Sequence, residues 1–145
     1  MNNWIECKVT YEKTLETGTQ KKVSESYLVD AMSFAEAEAR ITKEMTPYIT
    51  GEFEVNAVKK DKLAELFVGD GDRYYRCKVM FITLDEKTGV EKKTANFMLV
   101  QAHTFKRALD KLIEGMQGTM CDWEINTIAE SPILDIFGIE AEQEA

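Results

Sequence analysis

Apolar and polar residues alternate from Trp4 to Lys13: Ile5, Cys7, Val9 and Tyr11 fall on one side, Trp4, Glu6, Lys8 and Thr10 on the other. Successive side chains of a strand point to opposite faces, so this period of two predicts a half-buried strand with one wet face. Tyr74 to Thr83 alternates in the same phase, with Tyr75, Cys77, Val79 and Phe81 inward and Tyr74, Arg76 and Lys78 outward. Each run leads into a turn sequence, Glu16-Thr17-Gly18-Thr19 or Asp85-Glu86-Lys87-Thr88-Gly89, whose glycine is free to take positive φ. A second strand follows each turn, about Gln20–Asp30 and Glu91–Gln101, giving a long antiparallel hairpin in each half.

The period then changes to 3.6. Ser33-x-x-Glu36 is a capping box, and Phe34, Ala37, Ile41 and Met45 form an apolar helical stripe that Pro47 ends. Thr104 caps the second helix without a glutamate partner. Its stripe is Phe105, Ala108, Leu109, Leu112, Ile113 and Met116, closed by Gly118. A third strand is predicted at Phe53–Val58 and again at Trp123–Ile128. Short apolar tailpieces, Leu63–Phe67 and Ile133–Phe137, fit a helical turn or a strand equally well at this length.

These two halves are one unit written twice. Cys7-Lys8-Val9 returns as Cys77-Lys78-Val79, Lys21-Lys22 as Lys92-Lys93, Leu28-Val29-x-Ala31 as Leu99-Val100-x-Ala102, and Glu54-x-Asn56 as Glu124-x-Asn126. Self-similarity at a fixed period constrains architecture more than propensity does. The expectation is an α+β domain built by tandem duplication of a β-β-α-β unit, with antiparallel sheet(s), two helices and a pseudo-twofold axis. Residues 4–67 are repeat 1, 74–137 are repeat 2, and 138–145 form an acidic tail. A lone repeat would be near the lower size limit for stable folding, so the copies are expected to share a core. A six-stranded arrangement would leave sheet face open to solvent.

Composition adds little that names a function. With 145 residues, 44% apolar and 30% charged, the chain reads as an ordinary soluble domain without a secretory leader or membrane span. A net charge of −8 argues against a general basic footprint, yet lysines collect in the hairpins. Cys7, Cys77 and Cys121 read as free thiols of a reducing cytoplasm. His103 is the single histidine, and no phosphate-cradling, dinucleotide or nucleophile-elbow motif occurs, so no metal, cofactor or catalytic residue is expected. Glu54 and Glu124 read as part of a polar outward strand face rather than as a carboxylate pair.

The outward face of the first strands, with the lysine pairs, carries the most chemistry. Lysines tracking phosphates and rings stacking bases suit single-stranded nucleic acid. Lysines on a hairpin also guard edge strands against mispairing, and Trp4 and Tyr74 also serve to cover a rim. Both readings fit the pattern.

Several stretches resemble an uncharacterised, domain-of-unknown-function family of gut Bacteroidetes and their tailed phages. They are Trp4–Val9, Gly18–Val23, Tyr27–Ala31 with Phe34 and Glu36-Ala37-Glu38-Ala39, Gly51-Glu52-Phe53 with Val58-Lys59-Lys60, and Ile128–Ile133. The resemblance spans about residues 4–137 and brings no catalytic residues. It implies single-stranded DNA-binding proteins placed among phage replication genes, Whirly-like in fold. The Whirly-type unit, four strands and then a helix, differs from the order read here. An acidic C-terminal tail such as Glu140 to Ala145 occurs in such proteins as a partner-recruiting arm.

The chain is therefore expected to be a non-enzymatic single-stranded nucleic-acid (DNA) binding protein of the bacterial host cytoplasm. Trp4 and Tyr74 would stack bases, while Lys8, Lys21, Lys22, Arg76, Lys78, Lys92 and Lys93 would meet phosphates. The alternative is a protein-interaction or assembly module.

Overall fold

The structure, a computed structural model, describes residues 3–138. Its elements are β1 Trp4–Thr14, β2 Gln20–Asp30, α1 Phe34–Met45, β3 Phe53–Lys60, β4 Glu65–Phe67, β5 Arg73–Leu84, β6 Glu91–Ala102, α2 Phe105–Met116, β7 Asp122–Ser131 and β8 Ile133–Phe137. The α+β class and the repeated strand–strand–helix–strand order are present as the periodicities predict. Both short tailpieces are strands. The acidic segment Glu140 to Ala145 lies outside the described residues.

Instead of one six-stranded arrangement there are two four-stranded sheets, ordered β3-β1-β2-β8 and β4-β6-β5-β7. Hairpin and third-strand pairings are antiparallel, whereas β8 lies parallel to β2 and β4 parallel to β6. The chain divides into two compact units. Unit 1 takes the residues through Lys62 together with those from Pro132 onward, and unit 2 is Leu63–Ser131. Each sheet is thus completed by the tailpiece of the other repeat.

The connectors dictate this exchange. Only Pro132 separates β7 from β8, and two Cα–Cα steps span no more than about 7 Å. From β7 to the free edge of β6 in the same sheet is three strand spacings, about 14 Å. The second tailpiece therefore cannot reach the edge of its own repeat. It pairs with β2, where Tyr27 stacks on Phe137 with ring centroids 5.7 Å apart.

Each sheet and its helix enclose a hydrophobic cluster of their own. In unit 1, Ile5, Cys7, Val9, Tyr27 and Val29 pack against Ala37, Ile41 and Met45 of α1 and against Phe137. In unit 2, Tyr75, Cys77, Val79, Met98 and Val100 pack against Ala108, Leu112 and Met116 of α2, with Phe67 at the side. Four strands give each helix enough apolar floor to close its own core. Phe34 and Phe105, predicted to head the buried stripes, are 56% and 54% exposed. Helical side chains lean toward the N-terminus, so a ring on the first residue projects past the helix start.

Local signals fix the ends of the elements. Ser33 Oγ accepts from Glu36 N at 3.1 Å, and the Glu36 carboxylate accepts from Met32 N at 3.3 Å, one residue further back than a strict capping box. The hairpin turns place Gly18 and Gly89 at φ 87° and 71°, a conformation that costs a residue with a Cβ. The first turn occupies residues 15–19 and the second 85–90, so the extra residue that shifts the repeat offset sits in the second turn. Among the described residues, no helix is long and apolar enough to cross a membrane.

Candidate nucleic-acid interface

Each hairpin outruns the strands that flank it. In unit 1, β3 reaches only to Tyr11 of β1 and β8 covers only Ser26–Val29 of β2, so residues 12–25 form an arm with free edges. In unit 2, β7 reaches Ile82 and β4 covers Met98–Val100, freeing the distal part of β5 and β6. Residues 12–22 and 83–95 are exposed throughout. Alternating polar residues without an opposing apolar partner leave these ends nothing to pack against, and backbone pairing alone carries the ladder outward.

The arms carry most of the expected phosphate ligands. Lys21 and Lys22 are exposed, and the β1–β2 register sets Lys21 opposite Lys13 and Lys22 opposite Glu12. Lys92 and Lys93 are exposed opposite Thr83 and Ile82. Lys93 Nζ lies 3.0 Å from Glu124 Oε1 on neighbouring β7, and this bond holds its ammonium above the ordinary lysine value. Lys8 stands exposed at a bulge between β1 and β3, about 17 Å of strand from Lys13. Arg76 and Lys78 are half-buried nearer the base of the second hairpin, and the Arg76 guanidinium lies over the Phe97 ring at 5.4 Å.

Trp4 and Tyr74 do not serve as platforms in this structure. Both are 5% exposed, and Leu28 and Leu99 on the same helix-free sheet faces are fully buried. A ring without a free face offers nothing to a base. Alternation assigned these residues to the side away from the helix correctly, but that side is buried at the strand ends where they lie.

Two residues missed in the sequence belong beside the first arm. Lys13 adds a third lysine to the first arm, opposite Lys21, and Tyr48, 79% exposed, stands in the α1–β3 connection. Both line an open groove of about 1470 Å3 that also takes in Lys22, the threonines of the α1 C-terminus and the carboxylates of Glu12, Glu38, Glu52 and Glu54. Lys13 was legible as the last residue of the first strand, whereas Tyr48 sits in a loop where periodicity says nothing.

The remaining polar candidates are structural. Glu124 is occupied by Lys93, while Glu54 faces Thr10 across the β1–β3 ladder, and Thr10 Oγ1 in turn meets Ser24 Oγ at 3.0 Å. Cys7 and Cys77 are free, fully buried thiols, each pushed up to about 11. Burial does this at both, and Glu38 and Glu6 add to it at Cys7. His103 Nδ1 meets Asp72 Oδ1 at 3.1 Å on the surface and holds that carboxyl below its ordinary value. Lys111 Nζ donates to Asp70 O and Gln101 O at 2.7 and 2.8 Å, clamping the β4–β5 connection. Among the described residues, no group of three or more His, Cys, Asp or Glu is placed to hold a metal.

Comparison with curated proteins and with solved structures gives no match. A family model described as a domain of unknown function, DUF4494, matches residues 3–139, and the chain belongs to that family.

Proposed function

We propose that this protein is a non-enzymatic binder of single-stranded nucleic acid that works through its two hairpin arms. One observation carries the proposal: both repeats keep an exposed lysine pair at the same place on an arm that outruns its sheet. Exposed lysines contribute little to a fold, so their retention in both copies points to a use outside it. A flexible ammonium follows a phosphate backbone without reading sequence. With Trp4 and Tyr74 buried, binding is mainly electrostatic and is spread over Lys8, Lys13, Lys21, Lys22, Lys92 and Lys93.

The phage replication setting and bacterial cytoplasm implied by the family resemblance belong to this proposal. So does likeness to Whirly-type proteins, although each unit here runs strand–strand–helix–strand–strand. A protein partner is the second reading, favoured by Leu84 and Val90, 65% and 61% exposed beside the second turn. Fluorescence anisotropy with a labelled oligo(dT) decides between them. Micromolar or tighter binding at low salt, falling steeply as salt rises, supports nucleic acid. Replacing Lys21, Lys22, Lys92 and Lys93 with alanine should abolish that binding and leave the circular dichroism unchanged. No binding by the wild type at low salt refutes the proposal.

A further inference from the structure

The two arms differ in how their lysines are partnered. We infer that the Lys13–Lys21 pair of unit 1 is the principal phosphate site of the chain; this rests on the nucleic-acid reading above. Residues directly opposite on an antiparallel ladder have Cβ atoms about 4.5–5.5 Å apart, and like charges there destabilise the pairing. The β1–β2 register puts Lys13 and Lys21 in that relation. Among the described residues, neither forms an ion pair.

The surrounding carboxylates do not resolve the repulsion. Glu12 lies opposite Lys22 and on the other face of the arm. Glu25 shares the Lys21 face but accepts from the Tyr27 hydroxyl at 3.1 Å. Glu38 and Glu52 line the groove beside the arm, and neither pairs with Lys13 or Lys21. A phosphate seated between the two ammonium groups gains charge-assisted hydrogen bonds from both and removes their mutual repulsion.

Unit 2 is built the other way at the matching positions. Thr83 stands where Lys13 stands, opposite Lys92, and its hydroxyl is 3.5 Å from Lys92 O. The next lysine, Lys93, is held by Glu124. In the second arm Lys92 therefore meets a neutral partner and Lys93 a carboxylate, whereas in the first arm Lys22 meets Glu12 but Lys21 meets Lys13. Both arms are neutral overall, with Lys13, Lys21 and Lys22 against Glu12, Glu16 and Glu25 in the first and Lys87, Lys92 and Lys93 against Asp85, Glu86 and Glu91 in the second. The difference lies in where the charges are placed and not in their sum.

The test transplants one arrangement into the other in the full-length protein, with fluorescein-labelled oligo(dT) as probe. Lys13→Thr gives unit 1 the arrangement of unit 2. It should weaken binding about five- to tenfold at low salt and reduce the slope of log K against log salt by about 0.7, one single-strand phosphate contact. Its thermal midpoint should stay level or rise, because a like-charge pair has gone; loss of both stability and binding would mark a structural role and overturn the inference. Lys92→Ala should weaken binding less than about threefold. Equal losses from Lys13→Thr and Lys92→Ala overturn the inference while leaving the nucleic-acid reading intact. Absence of wild-type binding overturns both. Inorganic phosphate that displaces the oligonucleotide at equal phosphate concentration would assign the pair to a small anion and overturn its link to a strand.

Discussion

Unit 1 and unit 2 share a plan, a register and a helix-facing core, yet differ where they meet solvent. At matching positions Lys13 faces Lys21, while Thr83 faces Lys92 and Glu124 takes Lys93. The inward residues are nearly interchangeable: Cys7 and Cys77, Val9 and Val79, Ala37 and Ala108, and Met45 and Met116 occupy the same places. The contrast separates two pressures on a duplicated chain. Packing holds the inner face constant because any change of volume is felt, and the arms diverged because nothing packs on them.

The strongest way to break the comparison concerns the exchanged tailpieces. Phe137→Ala removes a ring that is 5% exposed in the unit 1 core although it belongs to the second repeat in sequence. It should cost about 3–5 kcal/mol. Hydrogen exchange should show the loss in the amides of β1 and β2. Phe67→Ala should cost less, since Phe67 is only half-buried, and should loosen β5 and β6 instead. If Phe137→Ala loosened β5 and β6, the pairing of β8 with β2 would be wrong.

Next in size is an alkaline effect common to both units. The Cys7 and Cys77 pKa values rise from 9.0 to about 11, so the folded state keeps a proton that the unfolded chain releases. Their contribution is complete below pH 9 and is lost as pH rises toward 11, on the order of 3 kcal/mol for each thiol. Tyr27, raised by burial and by Glu25, extends the loss upward from pH 10. Urea melts between pH 7 and 11 should fall in this window, and less so in a Cys7→Ala/Cys77→Ala variant. Glu38→Gln should ease the shift at Cys7 and leave Cys77 alone, which separates the units.

The helix caps come third. Ser33→Ala should cost about 1 kcal/mol and Thr104→Ala as much or more. Each removes one hydroxyl that accepts from the first turn, and only α1 keeps a second bond, from Met32 N to the Glu36 carboxylate. Thermal melts of the two variants measure the difference. The smallest effect belongs to the second arm: Glu124→Gln frees Lys93 and should strengthen oligonucleotide binding about two- to threefold, as one added phosphate contact at moderate salt would.

How much of this was legible in the sequence follows from what periodicity encodes. The period of two located β1, β2, β5 and β6 nearly to the residue, and the capping box located α1. The tailpieces showed no period because they are only three and five residues long. The sequence pattern leaves four residues, 129–132, between the third strand and the tailpiece, enough to return to the far edge of the same sheet. In the structure β7 runs on to Ser131, and the single residue then left before β8 forbids that return. Trp4 and Tyr74 failed for another reason: alternation says which face a residue is on, never what covers that face. The Lys13–Lys21 pairing depends on the hairpin register, which the turn length sets and composition does not reveal.

The central claim is that exposed arm lysines, and not a cleft or a ring platform, hold a single strand. Chemical-shift mapping of the full-length protein titrated with oligo(dT) tests it most directly. The account predicts the largest backbone shifts in residues 12–22, smaller ones around Lys92 and Lys93, and none at Trp4 or Tyr74. Shifts centred on the helix-free faces around Trp4 and Tyr74, or no shifts at low salt, would contradict it.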